Sequence, residues 1–204
     1  MCGRYFLHSN ADELAKLFGE MPMPLLAARY NIAPTQPVPI VRQDHNGRRA
    51  MVLVRWGLIP AWSKGPDSRF SMINARVETV AQKPAYRNAF RYRRCLVPAD
   101  GFYEWRNVGG KKQPFVLRPS DGRPLALAGL WEHWEGADAS EIESCTLLTT
   151  EPNDLLRSLH NRMPVILQPQ DYALWLDPKV QEVGRLQPLL RPYPQAEMEA
   201  YPVS

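Results

Sequence analysis

The chain has 204 residues and a mass of 23.3 kDa, and its 45% hydrophobic and 23% charged residues exclude disordered, collagen-like and coiled-coil proteins. Twenty prolines against twelve glycines, without a period, predict short strands and many turns rather than an all-helical bundle. The formal net charge is +4, and three cysteines without a CxxC pair exclude a disulfide framework and a four-thiolate zinc site.

The first predicted element is a short amphipathic helix. Asn10-Ala11-Asp12-Glu13 has the pattern of a capping box, and Gly19 supplies a C-terminal stop after Phe18. Leu14, Leu17 and Phe18 recur at helical spacing, so we expect them to form the buried stripe.

Strands dominate the rest of the prediction. Val38–Val41 and Met51–Val54 flank an Asn46-Gly47 turn signal, which predicts a hairpin with a longish loop. Further strands are predicted at Cys95–Val97, Phe102–Arg106, Pro114–Leu117, Leu125–Trp131, Cys145–Leu148 and Pro164–Leu167. Further helices are predicted at Pro84–Arg91, Asn153–Leu159 and Gln170–Leu176. This spacing, without a long linker, indicates one compact α+β domain over residues 1–204 with a mostly antiparallel, barrel-like sheet.

The charge is unevenly distributed, which predicts a basic side. Seven cations against one acid, Glu78, give residues 69–94 a charge of +6. The cations are Arg69, Arg76, Lys83, Arg87, Arg91, Arg93 and Arg94, and the aromatic residues among or before them are Trp56, Trp62, Phe70, Tyr86, Phe90 and Tyr92. Cations neutralise phosphates and aromatic rings stack on bases, so the mixture suits single-stranded nucleic acid. The alternative is that the arginines solvate a helix face while the aromatic rings fill the core.

No apolar leader begins the chain, and no stretch approaches the ~18 apolar residues of a membrane span. We therefore expect a cytoplasmic monomer without a membrane partner.

Cys2 is the most informative candidate for chemistry. A residue this small after the initiator methionine normally permits removal of Met1, which would make Cys2 the mature N-terminus. The α-amine titrates near ~8 and the thiol near ~8.5, so we expect both to be partly reactive at neutral pH. Such a 1,2-aminothiol condenses with an aldehyde to an imine, which the thiol closes to a thiazolidine. The alternative is a second residue without a role.

Three further residues could act beside it. Glu104 lies between aromatic residues in a predicted strand, where an apolar setting disfavours the charged carboxylate and would make it a general acid or base. His160 follows a predicted helix, whose dipole would favour the imidazolium, although an ordinary helix cap explains it equally. Asn74 could orient an amine or a sugar hydroxyl.

Metal and cofactor sites are not expected. The four histidines, His8, His45, His133 and His160, form no HxxxH pair, and the zinc deaminase signature is missing. The sequence also contains no Gly-rich phosphate loop and no GxSxG elbow.

Six ordered motifs carry a family resemblance. They are Cys2-Gly3-Arg4-Tyr5, Tyr30-Asn31-Ile32-Ala33-Pro34, Arg55-Trp56-Gly57-Leu58-Ile59-Pro60, Ile73-Asn74-Ala75-Arg76-Val77-Glu78, the run from Arg94 to Trp105, and His160-Asn161-Arg162-Met163-Pro164. With these motifs the chain resembles the SRAP family, the SOS response-associated peptidases now viewed as abasic-site processing proteins. The resemblance runs from Cys2 to about Leu176 and leaves the tail after Asp177 uncovered.

The resemblance implies a sensor of abasic sites in single-stranded DNA that becomes covalently attached through Cys2 and shields the lesion. It implies that Asn74, Glu104 and His160 are the catalytic residues around Cys2. It further implies a DNA groove lined by Arg4, Arg76 and Arg162, with Trp62, Thr149 and the loop from Asn31 to Pro34 as neighbours. Some relatives carry paired tryptophans where this chain has Trp62-Ser63, so serine stands here in place of the second stacking tryptophan. When bound to DNA, such a protein would be associated with the nucleoid.

The implied reaction begins with opening of the deoxyribose ring by Glu104 and His160, followed by a Schiff base with the Cys2 amine and closure of the thiazolidine. An unclosed imine would instead permit a weak lyase reaction. The family name points to a second class, a cysteine peptidase or N-terminal-nucleophile hydrolase with His160 or the α-amine as base, whose natural event would be self-removal of Met1. A third class is a non-catalytic single-stranded DNA-binding module.

Overall fold

The computed structural model describes residues 2–66 and 72–204, and short strands make up most of its regular structure. The strands are β1 (Tyr5–Leu7), β2 (Arg29–Ile32), β3 (Pro37–Gln43), β4 (Arg49–Trp56), β5 (Asn74–Arg76), β6 (Arg94–Ala99), β7 (Gly101–Val108), β8 (Lys111–Pro119), β9 (Leu125–Glu135), β10 (Glu141–Thr150), β11 (Met163–Pro164), β12 (Ile166–Leu167) and β13 (Met198–Pro202). The helices are α1 (Ala11–Phe18), α2 (Arg87–Tyr92), α3 (Asp154–Arg157), α4 (Tyr172–Leu176) and α5 (Val183–Leu186), with 3-10 turns at Pro169–Asp171, Gln187–Leu189 and Gln195–Glu197.

Five strands close into a barrel. They pair in the order β10-β4-β3-β6-β9, and β9 pairs again with β10. The β10–β4 pair is parallel and the other four are antiparallel. The short strands β5, β11 and β12 extend this sheet along β10 and β9. This arrangement confirms the predicted α+β fold with a mostly antiparallel, barrel-like sheet.

A second, fully antiparallel sheet has the order β13-β8-β7-β1-β2. Within it, β1 pairs with β2 on one side and with β7 on the other, because Tyr5 lies opposite both Ile32 and Phe102. The Tyr5 ring is fully buried and contacts the Trp56 ring of the barrel edge-on at 5.4 Å. The second sheet is thereby attached to the barrel through β1.

Arg94 joins the helices to the barrel. Its guanidinium is buried and donates five hydrogen bonds of 2.6–2.8 Å to backbone carbonyls. The acceptors are the carbonyls of Phe90, Arg91, Trp175, Asp177 and Val180. Burial lowers the pKa of Arg94 to about 10, so it is still charged at neutral pH. These carbonyls lie in the last turn of α2, in α4 and just after α4. One side chain therefore fixes both helices against β6.

The structure corrects the predicted basic side. Arg94 does not reach the surface, and Arg93 pairs with Glu132 at 2.8 Å. Tyr86 and Phe90 are buried in the core. The remaining described cations of the segment are exposed, namely Arg76, Lys83, Arg87 and Arg91, whereas Arg69 and Phe70 lie outside the described residues.

The alternative that aromatic rings fill the core therefore holds for part of the segment. Trp56 is also buried, while Trp62 is 70% and Tyr92 is 42% exposed. The aromatic residues thus divide between the core and the surface.

Several predicted elements are confirmed. The Asn10 capping box and the Gly19 cap bound α1, with Leu14 and Phe18 buried and Leu17 packed against the core. The predicted hairpin is β3–β4, paired from Pro37↔Arg55 to Gln43↔Arg49.

Other predicted boundaries are wrong for local reasons. The helix predicted at residues 153–159 ends at Arg157, because the amides of Leu159 and His160 both turn back to the Leu156 carbonyl. The strand predicted at residues 164–167 is split at Val165, where the chain changes its partner from β10 to β9. Within the described residues, no helix is both long enough and apolar enough to cross a bilayer.

We predict that Gly101→Ala lowers the free energy of unfolding by about 1–3 kcal/mol, because overpacking at this site cannot be relieved by a flexible side chain. A Cβ atom at Gly101 would lie 2.5 Å from the Phe6 ring and 2.6 Å from the Leu117 carbonyl oxygen. Urea unfolding measures the change.

Gly184→Ala is the matched control, since a Cβ there meets no atom within 4 Å and the residue lies in α5. This variant should be neutral or slightly stabilising. Equal stabilities of the two variants would contradict the packing assigned to Gly101.

Candidate active site

The pairing of β1 with β7 places Cys2 beside Glu104. Tyr5 lies opposite Phe102, and the Tyr103 amide donates to the Arg4 carbonyl at 3.0 Å. If this antiparallel register is continued past the start of β1, each residue back toward Cys2 corresponds to one residue forward on β7, toward Glu104. Both residues are buried, with Cys2 0% and Glu104 2% exposed.

This environment holds the Cys2 thiol in its neutral form. Burial raises the pKa of the thiol far above its ordinary value, and the nearby Glu104 carboxylate raises it further. In the chain that still carries Met1, the thiol therefore differs from the ordinary thiol expected at a mature N-terminus. Met1, whose removal was expected, lies outside the described residues.

Asn74 contacts Cys2 from the barrel side. It is the first residue of β5, which pairs in parallel with β10 so that Asn74 lies opposite Leu147. Its Nδ2 donates to the Cys2 carbonyl at 3.1 Å. Its Oδ1 is buried without a hydrogen-bond partner among the described residues, so an acceptor is left beside Cys2.

His160 lies in the half-buried loop between α3 and β11. Its Nδ1 accepts the Arg162 amide at 3.0 Å, which places the hydrogen of the neutral ring on Nε2. The predicted helix-dipole effect does not apply, because α3 has four residues and ends before His160.

Arg162 ties this loop to the end of β10. Its buried guanidinium donates to both carboxylate oxygens of Glu78 at 2.6 and 2.8 Å and to the Thr149 carbonyl at 2.6 Å. The hydrogen bond from Arg162 lowers the pKa of Glu78. Thr149 is buried and lies opposite Arg76 of β5 and Pro164 of β11. The loop that carries His160 and the strand that carries Asn74 are thus connected through β10.

The other predicted DNA-binding residues lie nearer the surface. Arg4 is half-buried, and its Nη1 donates to Oδ1 of the exposed Asn31 at 2.7 Å. Pro34 is half-buried in the turn after β2, whereas Arg76 is exposed at the end of β5. Contacts therefore unite Cys2 with Asn74 and Glu104, His160 with Arg162 and Thr149, and Arg4 with Asn31. Trp62 is exposed in the loop after β4.

Two supporting residues were not predicted as part of the site. Glu78 neutralises Arg162, and Asp100 accepts the amides of His8 and Ser9 at the end of β1. Both lie in motifs quoted above, two and four residues from predicted site residues. No pattern in the sequence separates such partners from other acids.

One group of potential metal ligands lies apart from these residues. His133, Glu135 and Glu141 have ligand atoms within 4.8 Å of one another on the β9–β10 hairpin. The two glutamates are exposed, as acidic groups often are without any ion.

Comparisons with known proteins agree over the whole chain. The family model for SOS response associated peptidase (SRAP) matches residues 1–204, which includes the segment after Asp177. The abasic site processing protein YoqW of Bacillus subtilis is 40% identical over 208 residues, covering 100% of this chain and 92% of that protein. The abasic site processing protein YedK of Escherichia coli is 30% identical over 185 residues, covering 86% and 79%.

Solved structures share the fold. A crystal structure of a protein from Bacteroides thetaiotaomicron matches with a TM-score of 0.89 at 26% identity, covering 100% of this chain and 92% of that one. A protein from Bordetella bronchiseptica matches with a TM-score of 0.87 at 30% identity, covering 100% of both chains.

We predict that Glu78→Gln lowers the free energy of unfolding at pH 7 by about 1–2 kcal/mol. Loss of the partner of a buried charge costs about 3–5 kcal/mol, which solvent reduces here because the Glu78 side chain is 52% exposed. Because its pKa is lowered in the folded state, ionised Glu78 stabilises the fold above about pH 4.3, and this stabilisation is lost as the pH falls. The free energy of unfolding of the variant should therefore decline less steeply in acid than that of the wild type.

Urea unfolding from pH 7 to pH 3 measures both effects. Glu182→Gln is the control, since Glu182 pairs with Arg185 at 3.9 Å and both side chains are exposed. The control should lose about 0.5 kcal/mol or less. Equal losses would contradict a buried, structurally required Arg162–Glu78 pair.

Proposed function

Because the chain belongs to the SOS response-associated peptidase (SRAP) family, we propose that it processes abasic sites, as the names of its relatives indicate for those proteins. In finer terms, it reacts with an abasic site in single-stranded DNA and forms a thiazolidine through the amine and thiol of Cys2, after Met1 is removed. The product is a covalent protein–DNA link that shields the lesion.

The contacts of Cys2 carry this proposal. Its backbone accepts from Asn74, its thiol lies near the Glu104 carboxylate, and the Asn74 Oδ1 has no hydrogen-bond donor among residues 2–66 and 72–204. Once the peptide bond to Met1 is gone, the nitrogen of Cys2 becomes an α-amine. An amine, a thiol, an acceptor for the amine and a base for the thiol are then within one buried cluster.

The first step opens the sugar. An abasic deoxyribose is mostly a closed hemiacetal, so its C1′ hydroxyl must lose a proton and its ring oxygen must gain one. Glu104 takes the hydroxyl proton and returns it to the ring oxygen, while the Nε2–H of His160 polarises that oxygen. The sum is a free aldehyde and a 4′-hydroxyl, with no change in Glu104 or His160.

The second step joins the protein to the aldehyde. The Cys2 amine adds to C1′, and loss of one water gives a neutral imine, with Asn74 Oδ1 accepting an N–H of the amine as it adds. The thiol then bonds to the same carbon and passes its proton through Glu104 to the imine nitrogen, which leaves a neutral five-membered ring. In total, aldehyde and aminothiol give thiazolidine and water, without any oxidant.

The same thiol is poorly suited to a peptidase. A cysteine nucleophile needs a lowered pKa, and here burial and Glu104 raise it. In the thiazolidine reaction, by contrast, a carboxylate beside a neutral thiol can take the proton as the bond to sulfur forms. A weak lyase reaction through the open imine remains part of this proposal, whereas self-removal of Met1 belongs to the alternative peptidase function.

In this proposal, the DNA is contacted by those expected residues that lie at or near the surface. Arg4 and Arg76 provide phosphate contacts, and exposed Trp62 provides a stacking surface. Arg162 holds the His160 loop in place, since a phosphate would have to displace Glu78 from it.

We predict that Cys2→Ala abolishes the heat-stable adduct with a single-stranded oligonucleotide that carries one abasic site. Alanine also permits removal of Met1, so the α-amine is kept and only the thiol is lost. The variant should stop at the imine, which borohydride traps and which otherwise proceeds to strand cleavage. Denaturing electrophoresis and intact mass report all three products.

Cys145→Ala is the matched control, since Cys145 is an equally buried thiol in β10. It should form the adduct at the wild-type level, with a mass that lacks Met1. A heat-stable adduct from Cys2→Ala, or none from the wild type, would refute the thiazolidine. The peptidase or the non-catalytic DNA-binding module would then be the better interpretation.

A further inference from the structure

Strands β7 and β8 extend beyond their sheet as a two-stranded ribbon. They pair with each other from Trp105↔Pro114 to Val108↔Lys111, whereas β1 pairs with β7 at its first two residues and β13 begins on β8 at Phe115. Gly109 and Gly110, with φ of +58° and +82°, form the tight turn at the tip. Residues 105–112, called the ribbon below, are all exposed.

The ribbon is basic and uncompensated. It carries Arg106, Lys111 and Lys112, and the sequence has no acid between Glu104 and Asp121. In residues 2–66 and 72–204 none of these three cations has an ion pair, whereas Arg42 and Arg118 pair with acids. Three solvated positive charges on one projecting element suit a polyanion.

The ribbon begins at the candidate active site. Side chains alternate along a strand, so Arg106 lies on the same face of β7 as Glu104, about 7 Å further along. Lys111 lies opposite Val108 and therefore shares this face. A line of positive charge thus runs from the buried carboxylate out to the tip. Lys112 lies opposite Asn107 on the other face.

We propose that the ribbon binds phosphates of the DNA strand that flanks the lesion, which extends the DNA interface beyond the residues expected from the family resemblance. This inference rests on the proposed function, since Glu104 marks where the reacting sugar lies. A DNA strand whose sugar contacts Glu104 must leave the site along a neighbouring part of the protein surface. The ribbon is such a surface, and its cations have no acidic partners among the described residues. An acidic protein could also bind these charges, but such a partner would not account for their alignment with the buried Glu104 carboxylate.

The test measures binding without chemistry. Fluorescence anisotropy follows the affinity of Cys2→Ala protein for a single-stranded oligonucleotide without a lesion, as a function of salt. Into this background we would place the triple change Arg106→Gln, Lys111→Gln and Lys112→Gln. Each lost phosphate contact reduces the salt slope of log K by about 0.7, so loss of the two contacts on the Glu104 face should lower the slope by about 1.4 and the affinity by about tenfold or more at low salt.

The control triple is Lys16→Gln, Arg48→Gln and Lys179→Gln, which removes the same charge from exposed positions on other elements. It should change the affinity less than about twofold and leave the slope unchanged, since these positions make no phosphate contact. Equal effects of the two triples, or wild-type binding by the ribbon triple, would overturn the inference.

A second measurement separates this inference from the proposed function. In proteins with Cys2 intact, the ribbon triple should form adduct normally with a short lesion-bearing trinucleotide and slowly with a long oligonucleotide. Equal slowing on both substrates would overturn the ribbon contact. If the wild type formed no adduct at all, the proposed chemistry would fail, while the anisotropy result would still decide whether the ribbon binds DNA.

Discussion

Strand β1 has hydrogen-bonded partners on both edges, and this double pairing determines where the start of the chain lies. Three residues are too few to form an independent strand, so β1 exists because β2 and β7 hold it. Asp100 fixes its far end through the amides of His8 and Ser9. Gly101 permits the close approach of the Phe6 ring. The segment from Cys2 to Leu7, in a part of the chain that is normally mobile, is thereby held against the barrel.

This constraint accounts for the buried polar groups around Cys2. A carboxylate and a thiol in an apolar interior would be costly in most folds, and here they coincide with the place where a freed amine would lie. Arg162, Glu78 and Thr149 form a second polar group that connects the loop of His160 to β10.

Local signals in the sequence predicted some of this well. The capping box before α1 and the Asn46-Gly47 turn act within a few residues, and both are observed. The short strands β1, β2, β5 and β13 were not predicted, because their pairing depends on partners far along the chain. For the same reason, local patterns could not predict the hydrogen bond between Asn74 and Cys2, which are 72 positions apart, or the burial of Arg94. Composition alone assigned that arginine to the surface. The family resemblance brought the site residues together before the structure did, but it did not reveal Glu78 or the basic ribbon.

The account depends on one covalent structure, in which both the nitrogen and the sulfur of Cys2 are bonded to the same sugar carbon. The most direct measurement is tandem mass spectrometry of the adduct after nuclease and protease digestion, with iodoacetamide added before unfolding and again afterwards. We predict an N-terminal peptide that starts at Cys2, carries the sugar remnant less one water and resists alkylation, while Cys95 and Cys145 become alkylated once the protein is unfolded. A sugar remnant on a lysine, a peptide that keeps Met1, or an alkylated Cys2 within the adduct would contradict the account.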